Sequence, residues 1–296
     1  MSSVDVVRRG LYASLTVVGV PGNILVIVAF LLLSYEENRL LAADAIVLHL
    51  TCANLLVVAV RCLTETLASF HVGNIFGDAG CKGVIFIYRT SRGLSIWLTF
   101  LLSTYQCLSI SPPGSCWASM RILLAQNLVF AFLFLWVLNT TMSSGALLFS
   151  SSSKNDSSPT NNAVNVEFCL VSFPSKLFKE IYGAVQVGRD VVPMALMTLA
   201  SVIILVLLYQ HSQHMNNLHR NSHTSGGRGG GKRRAAKIVV VLVTLYLALY
   251  GVDCGLWVYT LTVKKTMSTS LISDLPAVAL QVRTRTLLSV LAQTVA

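Results

Sequence analysis

The sequence predicts an all-α membrane protein, a bundle of seven transmembrane helices whose seventh helix is atypical and potentially incomplete. Of its 296 residues, 54% are hydrophobic and only 11% are charged, whereas a soluble domain carries about 25% charged residues. The mean hydropathy is +0.69, and apolar runs of the roughly 20 residues that cross a bilayer recur along the chain. This composition excludes a water-soluble enzyme and a disordered protein. Although the net charge is +10, we expect no nucleic-acid partner.

The first four predicted helices are 11–33, 45–70, 83–110 and 122–142. The first and the fourth contain no charged residue in their apolar runs, whereas the second contains Arg61 and Glu65 and the third contains Arg89 and Arg92. The first run is longer than the apolar segment of a cleavable signal peptide, and no small-residue cleavage site follows it. We therefore expect it to remain in the protein as a membrane helix.

The last three predicted helices are 190–210, 238–261 and 271–296. The apolar run of the sixth contains a single acid, Asp253, whereas the seventh contains Asp274, Pro276, Arg283 and Arg285. Because side chains two positions apart on a helix diverge by roughly 200°, one of these two arginines would face lipid, which is costly. The seventh helix is therefore the weakest of the seven predictions.

The orientation in the membrane is predicted from the loops. The loop at 211–237 is rich in Lys and Arg, but the basic residues divide equally between the two sides, so their count does not decide. The loop at 143–180 contains the glycosylation sequon that begins at Asn155, which is modified only on the lumenal side. It also contains Cys169, which could pair with Cys81 on the same oxidising side. We therefore place the N-terminus and the loop 143–180 outside and the loop 211–237 inside.

The inner side carries four candidate contact residues: Arg121, Lys232, Arg233 and Arg234. A basic run beside a helix determines topology and contacts anionic lipid head groups, and contact with an acidic intracellular partner is the alternative. A second sequon begins at Asn139, at the end of the fourth predicted helix. An acceptor that close to the bilayer is expected to stay unmodified.

Charged residues inside the predicted helices are the candidate ligand-binding residues. A charge within the bilayer costs roughly 2.5–3.5 kcal/mol on insertion scales and usually faces the interior of the bundle. The candidate residues, with the aromatic residues beside them, are Arg61, Glu65, Tyr88, Arg89, Arg92, Asp190, Tyr250, Asp253 and Trp257. We hypothesise that they line an outward-opening pocket for a small organic ligand, with an anionic ligand among the candidates.

The alternative is that these charges satisfy one another and hold the helices in register, and for Glu65 and Arg92 the two hypotheses are equally weighted. No catalytic triad, nucleotide-binding loop, cofactor site or metal site is predicted. The histidines from His211 to His223 are too loosely spaced for a convincing metal site.

Several motifs resemble those of one family of rhodopsin-like G-protein-coupled receptors, the vomeronasal type-1 receptors. The motifs are HLTCANLL at 49–56, GCK at 80–82, RGLSI at 92–96, LSTYQ at 102–106 and ISP at 110–112. The pair Gly22-Asn23 and the pairing of Cys81 with Cys169 are similar to features of the wider receptor class. The resemblance covers residues of about 10 to 260 and looks more like the fish counterparts, the olfactory receptors related to class A, than a mammalian member.

The resemblance implies a chemosensory receptor in the plasma membrane of olfactory neurons. Such a receptor binds a small odorant or pheromone and activates a heterotrimeric G protein, expected to be of the inhibitory class. The chain departs from the family in its seventh helix, where 282–286 reads VRTRT and the family's Pro-Phe motif is absent. An alternative or mispredicted last exon, or a truncated product, would explain the departure.

A non-signalling, truncated receptor product is therefore the alternative function. A small-solute transporter is less favoured, because the charges cluster in the outer half of the helices and no inverted repeat is visible.

Overall fold

Seven helices and three short strands make up the part of the chain that the structure, a computed structural model, describes. It describes residues 3–37, 41–69, 77–110, 116–152, 163–166 and 169–221. The elements are α1 (Ser3–Glu37), α2 (Ala42–Ser69), α3 (Asp78–Ile110), α4 (Cys116–Gln126), α5 (Leu128–Ser143), α6 (Gly145–Phe149), β1 (Ser150–Ser152), β2 (Ala163–Val166), β3 (Cys169–Ser172) and α7 (Lys176–Asn221). The predicted sixth and seventh helices lie outside the described residues.

Three helical segments among the described residues are long and apolar enough to cross a membrane. They are Thr16–Glu36, Ala42–Cys62 and Leu128–Phe149, which fall on the first, second and fourth predicted helices. Each has 21 or 22 residues, enough for the hydrocarbon core at 1.5 Å per residue. The chain is therefore a helical membrane protein.

Helix α7 is longer than the fifth helix that the sequence predicts. It begins at Lys176 instead of 190 and continues to Asn221 instead of 210, so it includes residues assigned to the loops 143–180 and 211–237. Its first turns are polar but favour helix: the Ser175 hydroxyl accepts a hydrogen bond from the Phe178 N–H at 3.1 Å, and Lys176 pairs with Glu180 at 3.7 Å, one turn away. Hydropathy alone identifies the apolar part of such a helix and misses its polar extension.

The fourth predicted helix, 122–142, lies within a helical stretch that is interrupted twice. The breaks fall at Asn127, between α4 and α5, and at Ser144, between α5 and α6. The Asn127 side chain donates a hydrogen bond to the Leu123 carbonyl at 2.8 Å, and the Ser144 hydroxyl donates one to the Thr141 carbonyl at 2.7 Å. Such side-chain bonds to the preceding turn bend helices, which explains breaks that hydropathy does not predict.

Helices α2, α3 and α5 pack through an apolar cluster. Its buried members are Ile46, Val47, Leu50, Ala53, Leu94, Leu98, Leu102, Leu128, Phe132 and Leu135. On α3 and α5 they recur every three or four residues, and on α2 the adjacent pair Ile46 and Val47 is followed by Leu50 and Ala53 at steps of three. Each set therefore lies on one face of its helix. One polar link crosses the same contact, where the Ser95 hydroxyl donates a hydrogen bond to Asn54 Oδ1 at 2.6 Å. This cluster fixes the spacing between α2 and α3, on which part of the site below is built.

A small antiparallel sheet at one end of α3 is an exception to the predicted all-α fold. Strand β3 lies between β1 and β2, with Val171 opposite both Ser150 and Val164. Cys169 and Val171 alternate with their neighbours along β3 and are buried, as expected for one face of a strand. A disulfide joins Cys169 to Cys81 of α3, with the two Cα atoms 5.7 Å apart. The sheet is therefore attached directly to α3, through the cysteine pairing that the sequence and the family resemblance lead us to expect.

Candidate functional site

A network of charged and polar side chains connects α3, α5 and α7 and is called the polar centre here: Arg89, Arg92, Asn139, Ser143, Gln186, Arg189 and Asp190. Asp190 of α7 is its only carboxylate. One of its oxygens accepts a hydrogen bond from Arg189 Nε at 2.9 Å, and the other lies 3.3 Å from Arg92 Nη2 of α3. These side chains are only 4–11% exposed. Two guanidinium groups therefore share one carboxylate at the contact between the helices.

Helix α5 joins the polar centre through hydrogen bonds from α7. Arg189 Nη1 donates to the Ser143 hydroxyl at 3.3 Å and approaches the backbone carbonyl of Arg89 at 3.4 Å. One turn earlier on α7, Gln186 Nε2 donates to the Met142 carbonyl at 2.7 Å. The three helices are thus connected by polar groups at one level of the bundle.

A glycine allows this close approach. A Cβ atom on Gly93 of α3 would lie 2.9 Å from the Arg189 guanidinium carbon and would overlap Asn139 Oδ1. Asn139 is fully buried, and its side-chain amide donates a hydrogen bond to the Leu135 carbonyl at 2.8 Å.

Arg89 interacts with Tyr182 of α7. Its Nη1 donates a hydrogen bond to the Tyr182 hydroxyl at 2.9 Å, and its guanidinium carbon lies 5.4 Å from the centre of the same ring. Tyr182 also packs against the Phe173 ring at 5.6 Å and closely against Gly145 of α6. The tyrosine thus joins Arg89 to the apolar residues beside the sheet.

A cavity of about 50 Å³ opens within this arrangement. Its lining residues come from α3 and α7 and are Tyr88, Arg89, Arg92, Gln186, Val187, Arg189 and Asp190. A water molecule needs at least about 10–15 Å³ on such a scale, so the cavity can hold a few water molecules or one compact polar group. Arg61 of α2 contributes from one side, since its guanidinium carbon lies 5.9 Å from the centre of the Tyr88 ring.

The cavity brings together four of the nine ligand-binding residues that the sequence predicts: Tyr88, Arg89, Arg92 and Asp190. Arg61 reaches it through Tyr88. Glu65 lies in α2, but its side chain is outside the described residues. Also outside are Tyr250, Asp253, Trp257, Asn155, Lys232, Arg233 and Arg234, whereas Arg121 is partly buried in α4.

Sequence reasoning missed Tyr182, Gln186 and Arg189. Their spacing of four and three residues is that of one helix face, but the predicted helix began after them. Continuing it backwards by two turns would have placed all three beside Asp190. Within the described ranges, no group of three or more His, Cys, Asp or Glu residues could hold a metal ion.

The chain is similar to known proteins of one family. The profile of the vomeronasal organ pheromone receptor family matches residues 7–279. Olfactory receptor class A-like protein 1 of Danio rerio is 32% identical over 246 residues, which cover 83% of this chain and 76% of the relative. Vomeronasal type-1 receptor 4 of Pongo pygmaeus is 28% identical, with 85% of this chain and 83% of the relative covered. Human vomeronasal type-1 receptor 2 is 27% identical over 70% of this chain, and the match spans about half (52%) of that relative's length.

Proposed function

This chain belongs to the vomeronasal organ pheromone receptor family, and from that premise we propose that it binds a small organic odorant or pheromone in the cavity between α3 and α7. Its family makes it a chemosensory G-protein-coupled receptor and not an enzyme. In our proposal it spans the plasma membrane as a seven-helix bundle with its N-terminus outside. Ligand binding then activates a heterotrimeric G protein inside the cell.

The observation that carries the proposal is the cavity lined by charged residues of α3 and α7. Arg89 follows Cys81 by eight residues, so it lies about 12 Å further along the helix. That depth suits a pocket that opens on the side of the disulfide and the sheet. Intramembrane charges are otherwise rare and usually mark functional sites.

The polar centre also offers a route from ligand to response. A ligand changes a conformational equilibrium only by binding one state better than the other. A ligand that contacts Arg92 or Asp190 competes with the 3.3 Å ion pair between α3 and α7 and so alters how these helices pack. Small shifts of packed helices are a common form of switching. On the inner side, we propose Arg121, Lys232, Arg233 and Arg234 as contacts for the G protein or for anionic lipids.

The test is ligand-dependent G-protein activation by the full chain. Cells expressing the receptor and an energy-transfer sensor of G-protein dissociation are challenged with a panel of organic acids, amines, alcohols and neutral odorants. At least one compound is expected to activate the wild type, and Arg92→Gln should lower the response by about tenfold or more. Lys82→Gln is the matched control, because Lys82 lies on the same helix but does not line the cavity. A response that Arg92→Gln and Lys82→Gln leave equally intact would place the binding site elsewhere.

The orientation is tested separately. An epitope tag at the N-terminus should be stained on intact cells, and Asn155→Gln should remove a glycan that a glycosidase removes from the wild type. If another label finds the receptor at the surface but the tag is stained only after the cells are permeabilised, the N-terminus is not external. If no label finds the receptor at the surface, a retained, non-signalling product is favoured.

A further inference from the structure

The positive charges around the cavity exceed the negative charges. Three of its seven lining residues are arginines and one is an aspartate. Both oxygens of Asp190 are already engaged, one by Arg189 and the other by Arg92. Asp190 is therefore poorly placed to receive a cationic ligand, and any additional cation would be repelled by the surrounding guanidinium groups.

Arg89 differs from the other two arginines in its partner. Its described side-chain contacts are the hydrogen bond and the ring contact to Tyr182, which is uncharged. A phenol oxygen is a weaker acceptor for a guanidinium than a carboxylate, since a carboxylate carries a negative charge and can accept two parallel hydrogen bonds from the guanidinium. The partly buried Arg89 is thus paired with a partner that an anion can replace.

We propose that the ligand carries one compact anionic group, a carboxylate or a sulfate, that binds Arg89 in place of the Tyr182 hydroxyl. This proposal rests on the proposed function and adds the chemical class of the ligand. The planar guanidinium can bind such a group through two parallel hydrogen bonds. The cavity of about 50 Å³ suits a carboxylate or sulfate group, whereas the rest of an odorant molecule must extend beyond it.

Tyr182 is then a specificity-determining residue as well as a competitor. A neutral ligand has to displace the phenol from Arg89 and offers no charge in return, so it is disfavoured. Since Tyr182 contacts Phe173 beside the sheet, its movement would also report the bound anion to the outer end of α7.

The test measures binding by the purified full chain in nanodiscs of phosphatidylcholine. The probes are cyclohexanecarboxylate and its neutral isostere cyclohexanecarboxamide, titrated while the thermal unfolding midpoint is followed. The carboxylate should raise the midpoint of the wild type and the amide should not. Arg89→Gln should weaken the carboxylate by at least about tenfold, whereas Lys82→Gln should leave it unchanged. Tyr182→Phe should bind the carboxylate about two- to fivefold more tightly, because the ring remains and the competing hydroxyl is gone.

Several outcomes overturn the proposal. Equal stabilisation by acid and amide would do so, as would no stabilisation by the acid, or acid binding that Arg89→Gln does not weaken. Tyr182→Phe keeps the proposal testable even where Arg89→Gln does not fold. If Tyr182→Phe binds the carboxylate with unchanged affinity, the Tyr182 hydroxyl does not compete with the anion for Arg89, and the proposal fails. If adding phosphatidylglycerol abolishes the carboxylate effect, a lipid head group is the natural occupant instead of a soluble ligand.

The outcome is distinguishable from failure of the proposed function. Arg89-dependent binding of the carboxylate with no G-protein activation by any compound would contradict the receptor function and leave the anion site intact. Activation through the cavity by neutral compounds, with no carboxylate binding, would support the receptor function and contradict the anion site.

Discussion

The polar centre and the apolar cluster both join helices to α3, but they do so by different physics. In the apolar cluster, Leu94 and Leu98 pack against side chains such as Leu50 and Phe132. In lipid this packing gains dispersion contacts but no hydrophobic driving force, because lipid tails are as apolar as leucine. In the polar centre, Asp190 and its two arginines have no substitute partner in lipid. The apolar cluster should therefore tolerate substitution better than the polar centre.

The largest effect is expected from Asp190→Asn. The substitution leaves two nearly buried guanidinium groups without the carboxylate they share, and removing one partner of a buried ion pair costs about 3–5 kcal/mol. We expect loss of most surface expression and a strongly lowered thermal midpoint of the purified receptor. Glu180→Gln is the control, because its pair with Lys176 is highly exposed and such pairs contribute little. Equal midpoints for both variants would show that the polar centre does not stabilise the bundle.

A second large effect is expected from Gly93→Ala, which forces a methyl group between Asn139 and the Arg189 guanidinium. Inserting a methyl group into a packed site costs about 1–3 kcal/mol. The midpoint should fall, and the double variant Gly93→Ala with Asn139→Ala should recover part of the loss because the overlapping amide is gone. Gly83→Ala on the same helix has open space around its Cβ and should be neutral or slightly stabilising. A destabilisation of the same size in both variants would mean that crowding at Gly93 is not the cause.

The features of the fold and the site that could be predicted from the sequence are those that change the local hydropathy pattern or form a local motif. The apolar parts of α1, α2 and α5 were visible because uncharged runs of about 20 residues are typical of membrane-spanning helices and rare in soluble domains. Arg89, Arg92 and Asp190 were visible as site residues because charges stand out inside or beside such runs. The family was visible because its motifs, such as RGLSI at 92–96, are local in sequence.

The start of α7, the role of Gly93 and the sheet could not be predicted, because they depend on contacts between segments that are far apart in the chain or on a weak local pattern. Arg189 and Tyr182 lie in a stretch whose charges and glycines dilute the apolar pattern, so α7 was predicted to begin too late. The role of Gly93 depends on Asn139 of α5 and Arg189 of α7 approaching the same point, which no single segment reveals. The pairing of β1 with β3 joins segments that are separated in the chain, whereas the disulfide that attaches the sheet to α3 is the pairing expected from the sequence.

In the apolar cluster a smaller effect is expected from Leu98→Ala. In soluble cores such a change costs about 2–5 kcal/mol, part of it from the transfer of the side chain out of water. That part is absent in lipid, so we expect about 1–2 kcal/mol from the cavity that remains. Leu98→Met conserves volume and should change the midpoint by less than half as much. If Leu98→Ala lowers the midpoint more than Asp190→Asn does, the ranking of the two regions is reversed.

The smallest effect is expected from Ser95→Ala, which removes the described polar link between α2 and α3 beside the apolar cluster. The 2.6 Å hydrogen bond to Asn54 is buried, and interhelical hydrogen bonds in membranes contribute about 0.6 kcal/mol on average. Ser109→Ala is the matched control on α3, since Ser109 is exposed and its hydroxyl bonds to its own helix. A small but resolved drop in the thermal midpoint for Ser95→Ala alone would show that uncharged polar links add stability between helices. Equal midpoints for the two variants would show that this uncharged link adds no measurable stability, in contrast to the charged groups around Asp190.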